Sequence, residues 1–177
     1  GDPAAPSDFE LIKIDEGELC LTLDGKTFTA KKGDAVAVNP EVSHGAIPHS
    51  CRYSCVVFQA QFLKTGNRFS DDFFNGILSH GICINEKIEN PDEKAFLDKI
   101  IAELKERSAG YEMRVTGYAT SFFGEAIKNG DFAVPLTETA SAEKDADASP
   151  DHRLVLTPLE HGHAPGVDIN ILQRDGL

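Results

Sequence analysis

Few residues of this sequence stand where their types could do chemistry, and each has a plain structural role beside the functional one. His44 can both donate and accept hydrogen bonds, which suits it to the wall of a ligand pocket; it fits equally well as a structural histidine bonded to backbone. Glu10 falls on an expected strand, either projecting inward to receive a ligand hydroxyl or lying at an edge as a solvated carboxylate. Arg52 and Tyr53 are adjacent on another expected strand, so they point to opposite faces and only one of them enters the interior. Glu160, His161 and His163 form a Glu-His-Gly-His cluster, but Gly and Pro neighbours put it on a flexible segment with no further ligand near in sequence. A divalent ion needs three or four well-placed ligands, so no metal and no cofactor is assigned. No serine or cysteine has a suitably spaced base, and no catalytic residue is expected. Cys20, Cys51, Cys55 and Cys83 form no Cys-x-x-Cys pair and read as reduced, mostly buried thiols of a cytoplasmic protein, with a Cys51–Cys55 redox switch as the lesser alternative.

The elements that position these residues change character along the chain. Phe9 to Ile14 reads as a strand, Asp15-Glu16-Gly17 as a turn, and Glu18 to Leu23 as a strictly alternating strand with Leu19, Leu21 and Leu23 on one face. Asp24-Gly25 is a strong hairpin signal, because both turn positions must tolerate positive φ. Lys26 to Ala30 returns, Lys32-Gly33-Asp34 turns again, Ala35 to Val38 is a short buried strand closed by Asn39-Pro40, and Arg52 to Gln59 is the last clear strand. Short strands at this spacing suggest a sandwich or a barrel.

Beyond Gln59 the period becomes helical. Phe73, Phe74, Ile77 and Leu78 mark a helix over 71–79. Pro91 opens a second, with Asp92 and Glu93 in its first turn and Phe96, Leu97, Ile100, Ile101 and Leu104 in one stripe running toward Ser108. Ala109-Gly110 breaks the chain before a third helix over 111–128, which Asn129-Gly130 ends. A break this short makes the last two an antiparallel hairpin. Residues 131–151 are Ala, Ser, Thr and acids, the composition of a solvated linker, and 152–177 has little periodicity.

At 41 % hydrophobic and 26 % charged the composition is that of an ordinary soluble protein. No apolar run is long enough for a membrane helix, and the N-terminus lacks the basic start and apolar stretch of a signal peptide, so no membrane partner is expected. A net charge of −12 repels phosphate backbones, which makes this chain as it stands a poor nucleic-acid binder.

The spacing in the strand-rich half is specific enough to carry a resemblance. Gly17 follows Glu10 by seven positions and His44 follows Gly33 by eleven, as in the two cupin motifs. The run from Gly33-Asp34 through Asn39-Pro40 to Ser43-His44 resembles the sensor domains of AraC-type transcriptional regulators. Phe9-Glu10-Leu11-Ile12, Glu16-Gly17-Glu18-Leu19, Lys31-Lys32-Gly33-Asp34 and Cys51 to Phe58 are similar to that family as well, as are Phe62-Leu63 and the helical hairpin, so the likeness spans roughly residues 9–132. Two departures stand out. The histidine pair of the first motif should fall near residues 4 and 6, where this sequence has Ala4 and Pro6, which argues against a metal centre. The helix-turn-helix units that follow the linker in such regulators are absent: Leu156 to Leu177 only faintly resembles their opening, with Pro158 and Pro165 fitting a helix poorly.

The resemblance implies a mainly β fold with C-terminal helices: a cupin (jelly-roll-like) β-barrel followed by an antiparallel helical hairpin. The expected organisation is an N-terminal arm (1–8), a barrel sensor domain (9–90), a helical dimerisation hairpin (91–130), an acidic linker (131–151) and a remnant (152–177) ahead of the missing DNA-binding domain. The expected function is ligand sensing and dimerisation rather than catalysis. A small polar effector, sugar-like or another metabolite, would bind at Glu10, His44 and either Arg52 or Tyr53. The stripe Phe96, Leu97, Ile100, Ile101 and Leu104 either covers the barrel's outer face or, as the resemblance implies, forms the interface of a homodimer. DNA would be reached only through a domain outside this chain. The competing expectation is a freestanding metal-dependent cupin enzyme.

Overall fold

The computed structural model describes residues 8–134 and the backbone of 170–176. The expected N-terminal arm with Ala4 and Pro6, most of the acidic linker, and the Glu160, His161 and His163 cluster lie outside the described residues. The core of the molecule is a curled six-stranded sheet built on one long strand, β1 (Asp8–Leu23), which pairs antiparallel along nearly its whole length with β4 (His44–Gln59). On its other edge β1 carries β3 (Ala35–Val38) beside Glu10 to Lys13, then β2 (Lys26–Lys31) beside Glu18 to Leu23. Asp24 and Gly25, at φ 44° and 78°, make the expected hairpin turn between β1 and β2.

Two expected boundaries give way to longer strands. Asp15-Glu16-Gly17 is not a turn between two strands but an irregularity inside one: the register against β4 shifts between Ile14 and Glu16 and again between Glu16 and Glu18. Gly17 absorbs it at φ 72°, in a place where a Cβ would lie 2.0 Å from the Ser50 carbonyl oxygen. A bend of this kind increases the local twist and helps a flat pair of strands to curl. β4 likewise begins at His44, not at Arg52. Gly45 and Pro48 disguise its first half, and Pro48 is tolerated because the second edge of β4 is paired only from Cys51 onward.

The sequence after β4 runs through a short 3-10 turn (Ala60–Leu63) into α1 (Arg68–Leu78), then β5 (Cys83–Ile84) and β6 (Lys87–Ile88). Next comes the hairpin α2 (Pro91–Glu106) and α3 (Tyr111–Asn129). Asn90 caps α2, its side chain accepting from the backbone N–H groups of Asp92 and Glu93, and Pro91 occupies the position where a missing N–H is harmless. Gly130 closes α3 at φ 71°. Between the helices, Arg114 joins Glu103 to the Ala109 carbonyl and the Ser108 hydroxyl. Asp131 to Ala133, expected to open the linker, instead belongs to the folded unit: β7 (Phe132–Ala133) pairs with β5. Part of the expected C-terminal remnant also joins the sheet, since β8 (Asn170–Gly176) pairs antiparallel with Cys51 to Val57 of β4.

Alternation along β1 divides the core in two. Phe9 and Leu11 face the helices together with Val56 and Phe58, and meet Leu97, Ile100, Val115, Ala119 and Phe123. Phe123 sits among Phe9 and Phe74, with ring centroids 5.4 and 5.0 Å away and edge-on geometry. The other face of the sheet, on the inside of the curl, carries Ile12, Ile14, Leu19, Leu21, Leu23, Val36, Val38, Cys51 and Cys55. Both faces of β1 are therefore covered, which is why Phe9 to Ile12 are all buried.

Candidate ligand pocket

Glu10 shares its side of β1 with Ile12 and Ile14, so its carboxylate is carried onto the apolar inner face, where the residue is only 7 % exposed. Burying a carboxylate there requires partners. Cys55, from β4, directs its thiol to Oε2 at 3.4 Å, and His44 places Nε2 3.6 Å from Oε1. His44 reaches Glu10 because β3 ends at Val38, the register partner of Glu10, and Asn39 to Ser43 lead straight back to the start of β4. That connection is firmly tied. Asp24 and Ser43 exchange two hydrogen bonds, Val42 N–H donates to the Asn39 carbonyl, and the Asn39 side chain both donates to and accepts from the main chain of Ile84 at 2.8 Å. His44 Nδ1 lies 3.2 Å from the Val42 carbonyl. A carbonyl only accepts, so Nδ1 is the donor in that contact, and Nε2 donates toward Glu10 only when it too carries a proton.

The structure separates Arg52 from Tyr53. Tyr53 packs against the inner cluster, in step with Cys51, Cys55 and Val57. Arg52 points to the other side, exposed, and pairs with Glu16 at 2.6 Å. Glu10, His44 and Tyr53 thus share the inner face of the sheet, whereas Arg52 stands outside it. Cys55 joins them although nothing in its sequence context marked it; the available signal was its even spacing from Tyr53 on the same strand. Among the described residues no three His, Cys, Asp or Glu side chains are placed to hold a metal ion.

The remaining titratable features lie elsewhere. Burial, and then Asp15, pushes the Cys51 thiol up; burial, then Asp24 and Glu86, does the same for Cys83. These thiols are thereby held in their unreactive form. Cys51 and Cys55 are four residues apart on one strand, about 13 Å at strand rise, beyond the roughly 7 Å that a disulfide spans. The intrachain redox switch is therefore excluded by geometry, and none of the four cysteines is in a disulfide among the described residues. The hydrogen bond from Arg114 holds Glu103 below the usual carboxylate range. Glu93, in the first turn of α2, is pushed up to about 8, chiefly by burial and then by Asp131.

The helical stripe goes inward. Leu97, Ile100, Ile101 and Leu104 are each 6 % exposed or less, consumed by the chain's own core. Phe96 alone of the five stays partly open, beside Tyr118, with the Lys99 ammonium 5.4 Å from both ring centroids.

A curled sheet that brings a carboxylate and an imidazole together on an apolar inner face, with helices backing its outer face, is the architecture of a cupin-type binding module. The sequence matches the AraC-like ligand binding domain family over residues 2–123, well over half of the chain, and the chain belongs to that family. Domains of this family are ligand-sensing and regulatory, not enzymatic. No curated protein matches the sequence. Among the described residues no helix is long and apolar enough to cross a membrane.

Proposed function

We propose that this domain senses a small polar effector, sugar-like or a related metabolite, on behalf of an AraC-like transcriptional regulator acting in the cytoplasm. The observation that carries the reading is the Glu10–His44 pair, 3.6 Å apart on a face lined mainly by Leu, Ile and Val. An apolar wall with a few convergent polar groups is what a small-molecule site requires: the wall excludes water and the polar pair fixes orientation. Glu10 accepts from effector hydroxyls, His44 supplies a second polar contact, and Tyr53 closes the wall; Arg52 takes no part. Two copies pair through the outer side of the helical hairpin, at Phe96 and Tyr118 rather than at the buried residues of the stripe. DNA is engaged by a separate domain, and the effector acts by biasing how two such domains are presented.

Isothermal titration calorimetry against a panel of neutral sugars and polar metabolites tests the reading. Binding is expected for the wild type and a loss of at least tenfold in affinity for Glu10→Gln, since a charge-assisted hydrogen bond is worth about 1.5–3 kcal/mol. Binding that is indifferent to both Glu10→Gln and His44→Ala would overturn the site. Light scattering coupled to size exclusion tests the pairing: a strict monomer at high micromolar concentration removes the dimer.

A further inference from the structure

Lys87 is a cation that the pocket described above leaves unused. It stands on β6 in register with Val36 of β3, and Val36 belongs to the inner face of the curl. Ile88, the next residue, is paired with Ala35 and buried on the helix side. Neighbours on a strand point to opposite faces, so the side chain of Lys87 is turned inward, on the same side of the sheet as Glu10, Ile12 and Val36. A second contact agrees: the Lys87 ammonium lies 5.5 Å from the centroid of the Phe28 ring. Phe28 is on β2, in register with Leu21, and packs against the same inner cluster.

β2 and β6 are not neighbours in the sheet: β6 extends it beyond β3, whereas β2 is attached to the far half of β1. The Lys87–Phe28 contact therefore crosses the open side of the curl. Lys87 is exposed there and Phe28 half-buried, so a cation and an aromatic ring meet at the entrance to the inner face. Among the described residues no carboxylate pairs with Lys87, although the chain has 29 acidic side chains against 17 basic ones. Glu10 is in register with Val38, two residues along β3 from the partner of Lys87. Two strand spacings and two residues put their Cα atoms about 12 Å apart on a flat sheet, and the curl brings them closer. One small molecule can touch both side chains.

We propose that the effector is a sugar acid, whose carboxylate is taken by Lys87 at the mouth of the pocket while its hydroxyls donate to Glu10 within. The inference rests on the pocket assigned above and narrows its occupant from polar molecules in general to anionic ones. The chemistry of the two ends sets the orientation. An ionised Glu10 only accepts and repels a second carboxylate, so the anionic end turns away from it. The Lys87 ammonium carries three donors and meets no acid of its own, and its contact with a carboxylate is charge-assisted. Phe28 supplies an apolar ring between them, against which the carbon–hydrogen face of a sugar packs. A neutral sugar satisfies Glu10 and leaves the ammonium without an anion; an amino sugar does the same and adds a second cation.

Calorimetry on the full chain tests this with matched probes: galacturonate and gluconate against galactose and glucose, with glucosamine as the cationic control. The acids are expected to bind about tenfold more tightly than the parent sugars, the worth of one charge-assisted contact, and added salt to narrow the gap. Lys87→Met keeps an unbranched side chain over Phe28 without the charge and is expected to bring acid and parent sugar to parity. Lys87→Arg is expected to keep the preference. Lys87 is exposed, so neither variant disturbs the core. Acids that bind no better than their parent sugars, a preference that survives Lys87→Met, or tightest binding of glucosamine overturns the proposal. Where another compound of the wider metabolite panel binds in a Glu10-dependent way and the acids do not, the proposal falls and the pocket stands. No binding by any compound overturns both.

Discussion

Gly17 and Gly25 offer a matched pair of perturbations whose difference is set by the sheet alone. Both have positive φ, 72° and 78°, so alanine at either position meets the same left-handed penalty of roughly 1–2 kcal/mol. At Gly25 a Cβ would meet nothing within 4 Å, and the penalty ends there. At Gly17 the same atom would lie 2.0 Å from the Ser50 carbonyl oxygen, 2.8 Å from its carbon and 3.0 Å from the Cys51 Cα. All three are main-chain atoms, so no rotamer change relieves the clash. β1 and β4 must move apart by about 1.5 Å or more to reach ordinary contact distance, beside the register pairs Glu16–Arg52 and Glu18–His49. Weakening two ladder bonds at about 1 kcal/mol each brings the expected loss for Gly17→Ala to about 3–4 kcal/mol. That is a large share of the 5–15 kcal/mol that typically stabilises a domain. Urea unfolding followed by far-UV circular dichroism measures both variants, with melting temperature as a second readout. At about 2–4 °C per kcal/mol, Gly17→Ala should melt roughly 10 °C below the wild type and Gly25→Ala only a few degrees below it. Equal losses in the two variants would show that the close approach at Ser50 has no energetic weight and refute the reasoning.

Asn39→Ala leaves the Ile84 N–H and carbonyl without their side-chain partner in a buried position, so a loss of roughly 2–4 kcal/mol is expected in chemical denaturation; a loss below 1 kcal/mol would contradict it. Glu93→Gln should convert a pH-dependent stability into a flat one. An acid whose folded pKa is raised lowers stability as pH climbs from its unfolded value of 4.5 to about 8, at up to 1.36 kcal/mol per unit, an upper bound of roughly 5 kcal/mol. The wild-type and Glu93→Gln melting curves should therefore converge at pH 4.5 and diverge toward pH 8; a constant offset across that range would count against the raised pKa of the buried Glu93. Mild oxidation followed by non-reducing peptide mapping should yield no Cys51–Cys55 disulfide within a chain, because the strand holds the two too far apart.

Local chemistry made much of the scaffold readable in advance. Asp24-Gly25, Pro91 and Asn129-Gly130 each impose a backbone geometry that few other residues tolerate, and the structure uses all three as expected. The Glu10-to-Gly17 and Gly33-to-His44 spacings likewise anticipated that a carboxylate and an imidazole would belong to the same sheet. What escaped depends on tertiary contact. Gly17 signals positive φ, but whether the chain then turns back or bends and continues is decided by β4 running alongside. Period alone told that Arg52 and Tyr53 diverge; which of them faces the inner cluster required the register with β1. The stripe from Leu97 to Leu104 looks the same in sequence whether it meets a sheet or a second subunit. Glu93 reads as an ordinary acid in a helix's first turn, because its burial comes only with the fold.

The pairing of β8 with β4 has a practical consequence for anyone shortening this protein. A fragment ending after Val134 would strip the strand from Cys51 to Val57 and expose a row of unsatisfied main-chain donors and acceptors next to the apolar run Val56-Val57-Phe58. Such a rim invites the same rim of another molecule, and growth by that route leads to ordered aggregates rather than to a soluble domain. Fragments meant for crystallisation or screening should therefore retain Asn170 to Gly176, or place a lysine at an outward position of β4 as a gatekeeper.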